Sequence, residues 1–188
     1  PIRPEKLELM ECTAEGDTIT SAWKAYWQGN AADVKYTLRL LGKSLVVDVQ
    51  CLGGHVARFN VGGVVGAQNP RVVRVPYLVG DWQNRPAVVV SGQEEGPLFL
   101  QAILDHHRTN SSHFWFKNAV ADGVAYSNGG SIYTPKTDGR RNPCFERLFL
   151  TISPRFEEVL PNIPNDPSPW KHVAGERQRA EKLWRLLR

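Results

Sequence analysis

The run Phe145–Ser153, FERLFLTIS, constrains this chain more than any other stretch. Phe145, Arg147, Phe149 and Thr151 fall on one side, and Glu146, Leu148, Leu150 and Ile152 on the other. A period of two is the signature of a strand, whose successive side chains point to opposite faces. Leu148, Leu150 and Ile152 are predicted to form the core face. Just upstream, Ser131–Thr134 reads as a second strand, and Pro135–Pro143 joins the two. Asp138-Gly139 is a tight-turn pair, because glycine tolerates positive φ and aspartate can bond its own backbone. Pro143 restricts Asn142 to extended geometry. A sheet should therefore hold up a loop of polar side chains, Lys136, Asp138, Arg140, Arg141 and Asn142, beside Tyr133. Loops on rigid scaffolds commonly carry recognition. A solvated hairpin tip is the competing reading of the same composition.

Similar short runs recur along the chain. Leu7–Cys12 is a strand candidate, followed by a turn at Glu15-Gly16-Asp17. Thr18–Trp27 fits either period, since Trp23 and Trp27 are four apart while Ser21, Trp23 and Ala25 alternate; a strand or irregular segment is preferred. Val34–Leu40 and Leu45–Cys51 form the clearest hairpin, turning at Leu41-Gly42-Lys43-Ser44. His55–Val61, Arg71–Leu78, the apolar run Ala87–Val90, Leu98–His107, Phe114–Phe116 and Val124–Tyr126 complete the set. Short strands at this spacing predict an all-β, two-layer antiparallel sandwich over residues 1–160. No glycine-rich loop leads a long helical pattern, so a parallel α/β fold is not expected. In residues 161–188, Pro161, Pro164, Pro167 and Pro169 predict an extended connector. Gly175–Arg188 then places Ala180, Leu183, Trp184 and Leu187 on one face of an amphipathic helix.

Composition narrows the partners. The net charge is +4, but the basic residues are scattered, so nucleic acid is not an expected partner. No stretch approaches the ~18 apolar residues of a membrane-spanning helix. Cys12, Cys51 and Cys144 lack metal-ligand spacing; one disulfide with a free thiol and three free thiols are both consistent with the sequence.

Catalytic candidates are few. Asp105, His106 and His107 stand together, but adjacent histidines on a strand would point to opposite faces and could not share a metal. Asp105 and His107, on one face, could line a polar groove. Paired carboxylates would suit glycoside hydrolysis; of these, Asp138 reads more simply as a turn residue and Glu146 as an ion-paired strand residue. Neither a metal nor a cofactor is expected. Aromatic residues are plentiful: Trp23, Tyr26, Trp27, Trp82, Trp115, Tyr133 and Trp170. Aromatic faces suit the apolar faces of sugars, although most large aromatics are core.

With YTPKTDGRRN, ERLFLTIS and the connector EEVLPNIPNDPSPW in view, the chain resembles a β-supersandwich, or galactose-mutarotase-like, domain. Such domains precede the catalytic barrel of large bacterial glycoside hydrolases, here of the endo-α-N-acetylgalactosaminidase-like group. The likeness covers about residues 30 to 170. It implies a secreted or periplasmic enzyme whose acid and nucleophile belong to the barrel. This chain would then be a non-catalytic, carbohydrate-associated module. Tyr133, Lys136, Asp138, Arg140, Arg141, Asn142, Asp105 and His107 would contact glycan or the adjacent barrel. Mutarotases themselves use a histidine and a glutamate; His106 or His107 would match the histidine, but no partner glutamate aligns. The alternatives are a freestanding sugar epimerase or hydrolase using Asp105, His106 or His107 with Glu146, and a structural assembly module.

Overall fold

The computed structural model describes residues 3–74, 87–93 and 96–160. The predicted connector and terminal helix lie outside them, as do Trp82, Trp170 and the end of the Arg71–Leu78 run. The chain is all-β. Its strands are β1 Lys6–Glu15, β2 Thr18–Trp27, β3 Asn30–Leu41, β4 Ser44–Cys51, β5 Arg58–Asn60, β6 Val64–Val65, β7 Arg71–Arg74, β8 Ala87–Ser91, β9 Leu98–Leu104, β10 His113–Trp115, β11 Val120–Ala121, β12 Val124–Ala125, β13 Gly130–Ile132 and β14 Cys144–Ser153. One antiparallel sheet runs β1-β2-β3-β4-β14-β9-β8-β7, and two three-stranded sheets, β10-β13-β5 and β11-β12-β6, accompany it. The ambiguous Thr18–Trp27 is a strand along its whole length, paired from Thr18↔Arg39 to Trp27↔Asn30. Pairing on both sides overrides the chance i, i+4 spacing of its tryptophans.

β14 is the central strand. It pairs with β4 from Cys144↔Cys51 to Thr151↔Ser44 and with β9 from Leu148↔Leu104 to Ser153↔Phe99. Its alternation is real, but the predicted core face holds over only half its length. Cys144, Glu146 and Leu148 are buried, whereas Leu150 and Ile152 are exposed and Phe149, Thr151 and Ser153 are buried instead. The cover changes sides. At the N-terminal half, Ser131 and Tyr133 at β13 and just beyond it reach the face that carries Glu146. At the C-terminal half, the 3-10 turn Phe156–Val159 covers the opposite face: Phe156 meets Phe99 edge-on at 5.6 Å, and Val159 packs with Val88. Phe149 joins Val46 and Ile103 in a row across three strands of that face.

The other half of the Glu146 face, which no described element covers, presents an apolar row. Leu40, 71 % exposed, lies in register with Leu45 and Leu150, and Ile152, 54 % exposed, with Leu100. Leu98 extends the row along β9. On the Arg147 face, Arg147 grips Asp48 through Nε and Nη2, both at 2.6 Å, and Arg39 adds a third contact at 3.1 Å. Burial pushes the Asp48 carboxyl up, but these hydrogen bonds and charges outweigh it and hold the group below the usual aspartate value.

Candidate functional site

The strand–loop–strand unit at residues 130–153 is built around one buried carboxylate. Glu146 is 0 % exposed. Its Oε1 accepts hydrogen bonds from Ser131 Oγ at 2.6 Å, Tyr133 Oη at 2.6 Å and Thr109 Oγ1 at 3.0 Å. Its Oε2 is buried with no partner among the described residues. Burial raises the Glu146 pKa above the usual glutamate value, and the three hydroxyl donors only partly oppose that. Tyr133, 1 % exposed, also accepts a hydrogen bond from Phe145 N–H at 3.2 Å. Its phenol is held well above its ordinary pKa, by burial first and then by Cys144 and Glu146, so it stays a donor. Beside it lie Cys144 and Cys51, both buried, with burial pushing the Cys144 thiol up to about 12.

The loop above this cluster is locked. Gly139 takes φ +76° at the predicted turn, and its N–H donates to the Lys136 carbonyl at 2.9 Å. Lys136 N–H donates to the Arg140 carbonyl at 2.9 Å, and Arg140 N–H to Asp138 Oδ1 at 2.9 Å. Three anchors tie the loop down: Arg141 Nε to the Tyr133 carbonyl at 3.0 Å, Asn142 Nδ2 to the Asn110 carbonyl at 2.9 Å, and Asn110 Nδ2 to the Pro143 carbonyl at 3.2 Å. The Arg141 carbonyl also presses on Gly54, where a Cβ would sit 2.5 Å away. Lys136, Asp138 and Arg140 remain exposed. The Lys136 and Arg140 side chains make no hydrogen bond or ion pair among the described residues.

The predicted site residues thus divide. Lys136, Asp138 and Arg140 point outward; Arg141 and Asn142 are half-buried anchors; Tyr133 is a core residue supporting the loop from beneath. Asp105 is buried as well. β9 ends at Leu104, so Asp105, His106 and His107 do not continue the strand as the sequence suggested; they form a turn, in which Asp105 Oδ1 accepts from His107 N–H at 3.0 Å and the Asp105 carbonyl from Arg108 N–H at 3.1 Å. His107 is exposed, while His106 stacks its ring edge-on against Phe114 at 4.6 Å, and burial lowers its pKa. Glu146 is not ion-paired, contrary to expectation: its neighbour Arg147 faces the other side and takes Asp48. No hydrogen bond among the described residues joins Glu146 to Asp105, His106 or His107, and its carboxylate has no opening to solvent. A freestanding enzyme that uses Glu146 would need this packed cluster to open.

The hydroxyls of Thr109 and Ser131 were not singled out from the sequence. Ser131 and Tyr133, two apart at the end of β13 and just past it, do carry a signal: paired hydroxyls suit a lone glutamate inside the otherwise apolar series Cys144, Glu146, Leu148. Trp23, Trp27 and Trp115 are half-buried, with the Arg58 guanidinium 5.4 Å from the Trp115 ring. No group of three or more His, Cys, Asp or Glu among the described residues is placed to hold a metal. In comparisons with family models, curated proteins and solved structures, nothing matches this chain.

Proposed function

We propose that this chain is a non-catalytic, carbohydrate-associated β-sandwich module of a glycoside hydrolase, contacting glycan or the neighbouring catalytic barrel. The observation that carries the reading is the locked loop at 135–143. Its backbone is bonded to itself, and the Arg141 and Asn142 side chains tie it to the Tyr133 and Asn110 carbonyls, so the backbone under Lys136, Asp138 and Arg140 has little ordering left to lose on binding. Two charged donors and an acceptor presented from a fixed backbone suit a polyhydroxylated ligand. The apolar row Leu40–Leu150–Ile152 supports the module reading, because contiguous exposed apolar surface marks an interaction face. A buried Glu146 with structural partners removes the most plausible catalytic carboxylate from the surface.

Calorimetric titration of the isolated chain with a panel of glycans tests the proposal, with Arg140→Ala as the comparison. The expected result is weak binding by the native chain that the variant loses while its melting temperature stays unchanged. Absence of binding at millimolar sugar, with unaltered activity of an Arg140→Ala enzyme carrying the adjoining barrel, would remove the loop from the reading.

A further inference from the structure

Three cysteines are present, and the fold sorts them. Cys51 ends β4 and Cys144 begins β14, and the two are direct register partners. Their side chains lie on one face, in one core cluster with Ala32 and Tyr133. Directly opposed residues of an antiparallel pair have Cα atoms about 4.5 to 5.5 Å apart. Disulfides accept Cα separations of about 4.4 to 6.8 Å. Cys12 is exposed on β1, three strands from β4 in the sheet, or about 14 Å at ordinary strand spacing, and can reach neither. We propose that Cys51 and Cys144 are a disulfide-forming pair, joining the central strand to β4 at the base of the 135–143 loop.

The position gives the bond a consequence. Cys51 leads into the turn Leu52–Gly54, against which the Arg141 carbonyl packs, and Cys144 follows Pro143 at the loop's end. A covalent link there clamps the two segments that hold the loop. The oxidant is a small disulfide such as glutathione disulfide. The thiolate of one cysteine attacks a glutathione sulfur and expels one glutathione thiolate, leaving a mixed disulfide. The second cysteine thiolate then attacks the protein-bound sulfur and expels the other glutathione. One protein disulfide forms, two glutathione thiols leave, and the two protein thiols are oxidised by two electrons. In the folded chain both thiols are buried with raised pKa values, so the exchange belongs to the folding or transiently opened chain.

The test is to refold the chain from denaturant, once with a glutathione redox couple and once with reductant, then alkylate in denaturant and map the peptides. One alkylated thiol, at Cys12, and a linked peptide pair containing Cys51 and Cys144 are expected. The oxidised form should melt roughly 5 to 10 °C above the reduced form. Incubating already folded, reduced chain with glutathione disulfide in mild urea gives a second measurement that needs no refolding. The same link should appear there, and faster as urea increases. Alkylation of all three thiols, stable glutathione adducts at Cys51 or Cys144, or a link to Cys12 would overturn the assignment.

Discussion

Replacing Tyr133 with phenylalanine removes one oxygen from the centre of the fold, and its cost should depend on pH. That oxygen donates to Glu146 Oε1 at 2.6 Å and accepts from Phe145 N–H at 3.2 Å. A hydrogen bond to a charged group contributes about 1.5 to 3 kcal/mol, and a neutral one about 1 kcal/mol. With Glu146 ionised the loss should therefore be about 2 to 4 kcal/mol, since Oε2 is already without a partner and only Ser131 and Thr109 would remain. Burial raises the folded-state pKa of Glu146 above 4.5. The folded chain then holds that proton more tightly than the unfolded chain. Stability tied to this group is complete below the unfolded value and declines as pH rises through the folded one. Tyr133→Phe deletes a donor that opposes the rise, so it moves the folded value further up and deepens the decline. Urea unfolding followed by tryptophan fluorescence at about pH 4 and about pH 8 reads both numbers. The variant should lose clearly more at the higher pH. An equal cost at both, or one below about 0.5 kcal/mol, would refute the account of a buried, hydroxyl-held carboxylate.

Two further substitutions probe the frame around this centre. Gly54→Ala should destabilise the chain and weaken any ligand contact of the 135–143 loop together, because its Cβ would lie 2.5 Å from the Arg141 carbonyl at φ +70°. Gly42→Ala, at φ +57° with nothing near, isolates the backbone strain, and thermal melting of the pair should show the Gly54 variant falling further by about 1 to 3 kcal/mol, the cost of the clash itself. Asp48→Asn should cost about 3 kcal/mol near neutral pH by leaving Arg147 without its carboxylate. The Asp48 contribution is present above the unfolded value of 3.8 and is lost as pH falls through its depressed folded value. The variant's acid-unfolding curve should therefore be flatter than that of the native chain.

Local conformation was legible in the residues: alternation specified β14, the Asp138-Gly139 pair specified a turn, and the polar run between two strands specified an exposed loop. These follow from rules that act within a few residues, the pleat and the freedom of glycine at positive φ. Which face of β14 is buried at each end follows from what the fold packs over it. Alternation states that faces differ but not what lies over them, and here the cover passes from Ser131 and Tyr133 on one side to Phe156–Val159 on the other. The fold also decided that Glu146 meets hydroxyls while Arg147 takes Asp48, and that Cys51, not Cys12, stands opposite Cys144. Those pairings depend on strand order and register, which bring together residues from 13 to 99 positions apart in the chain.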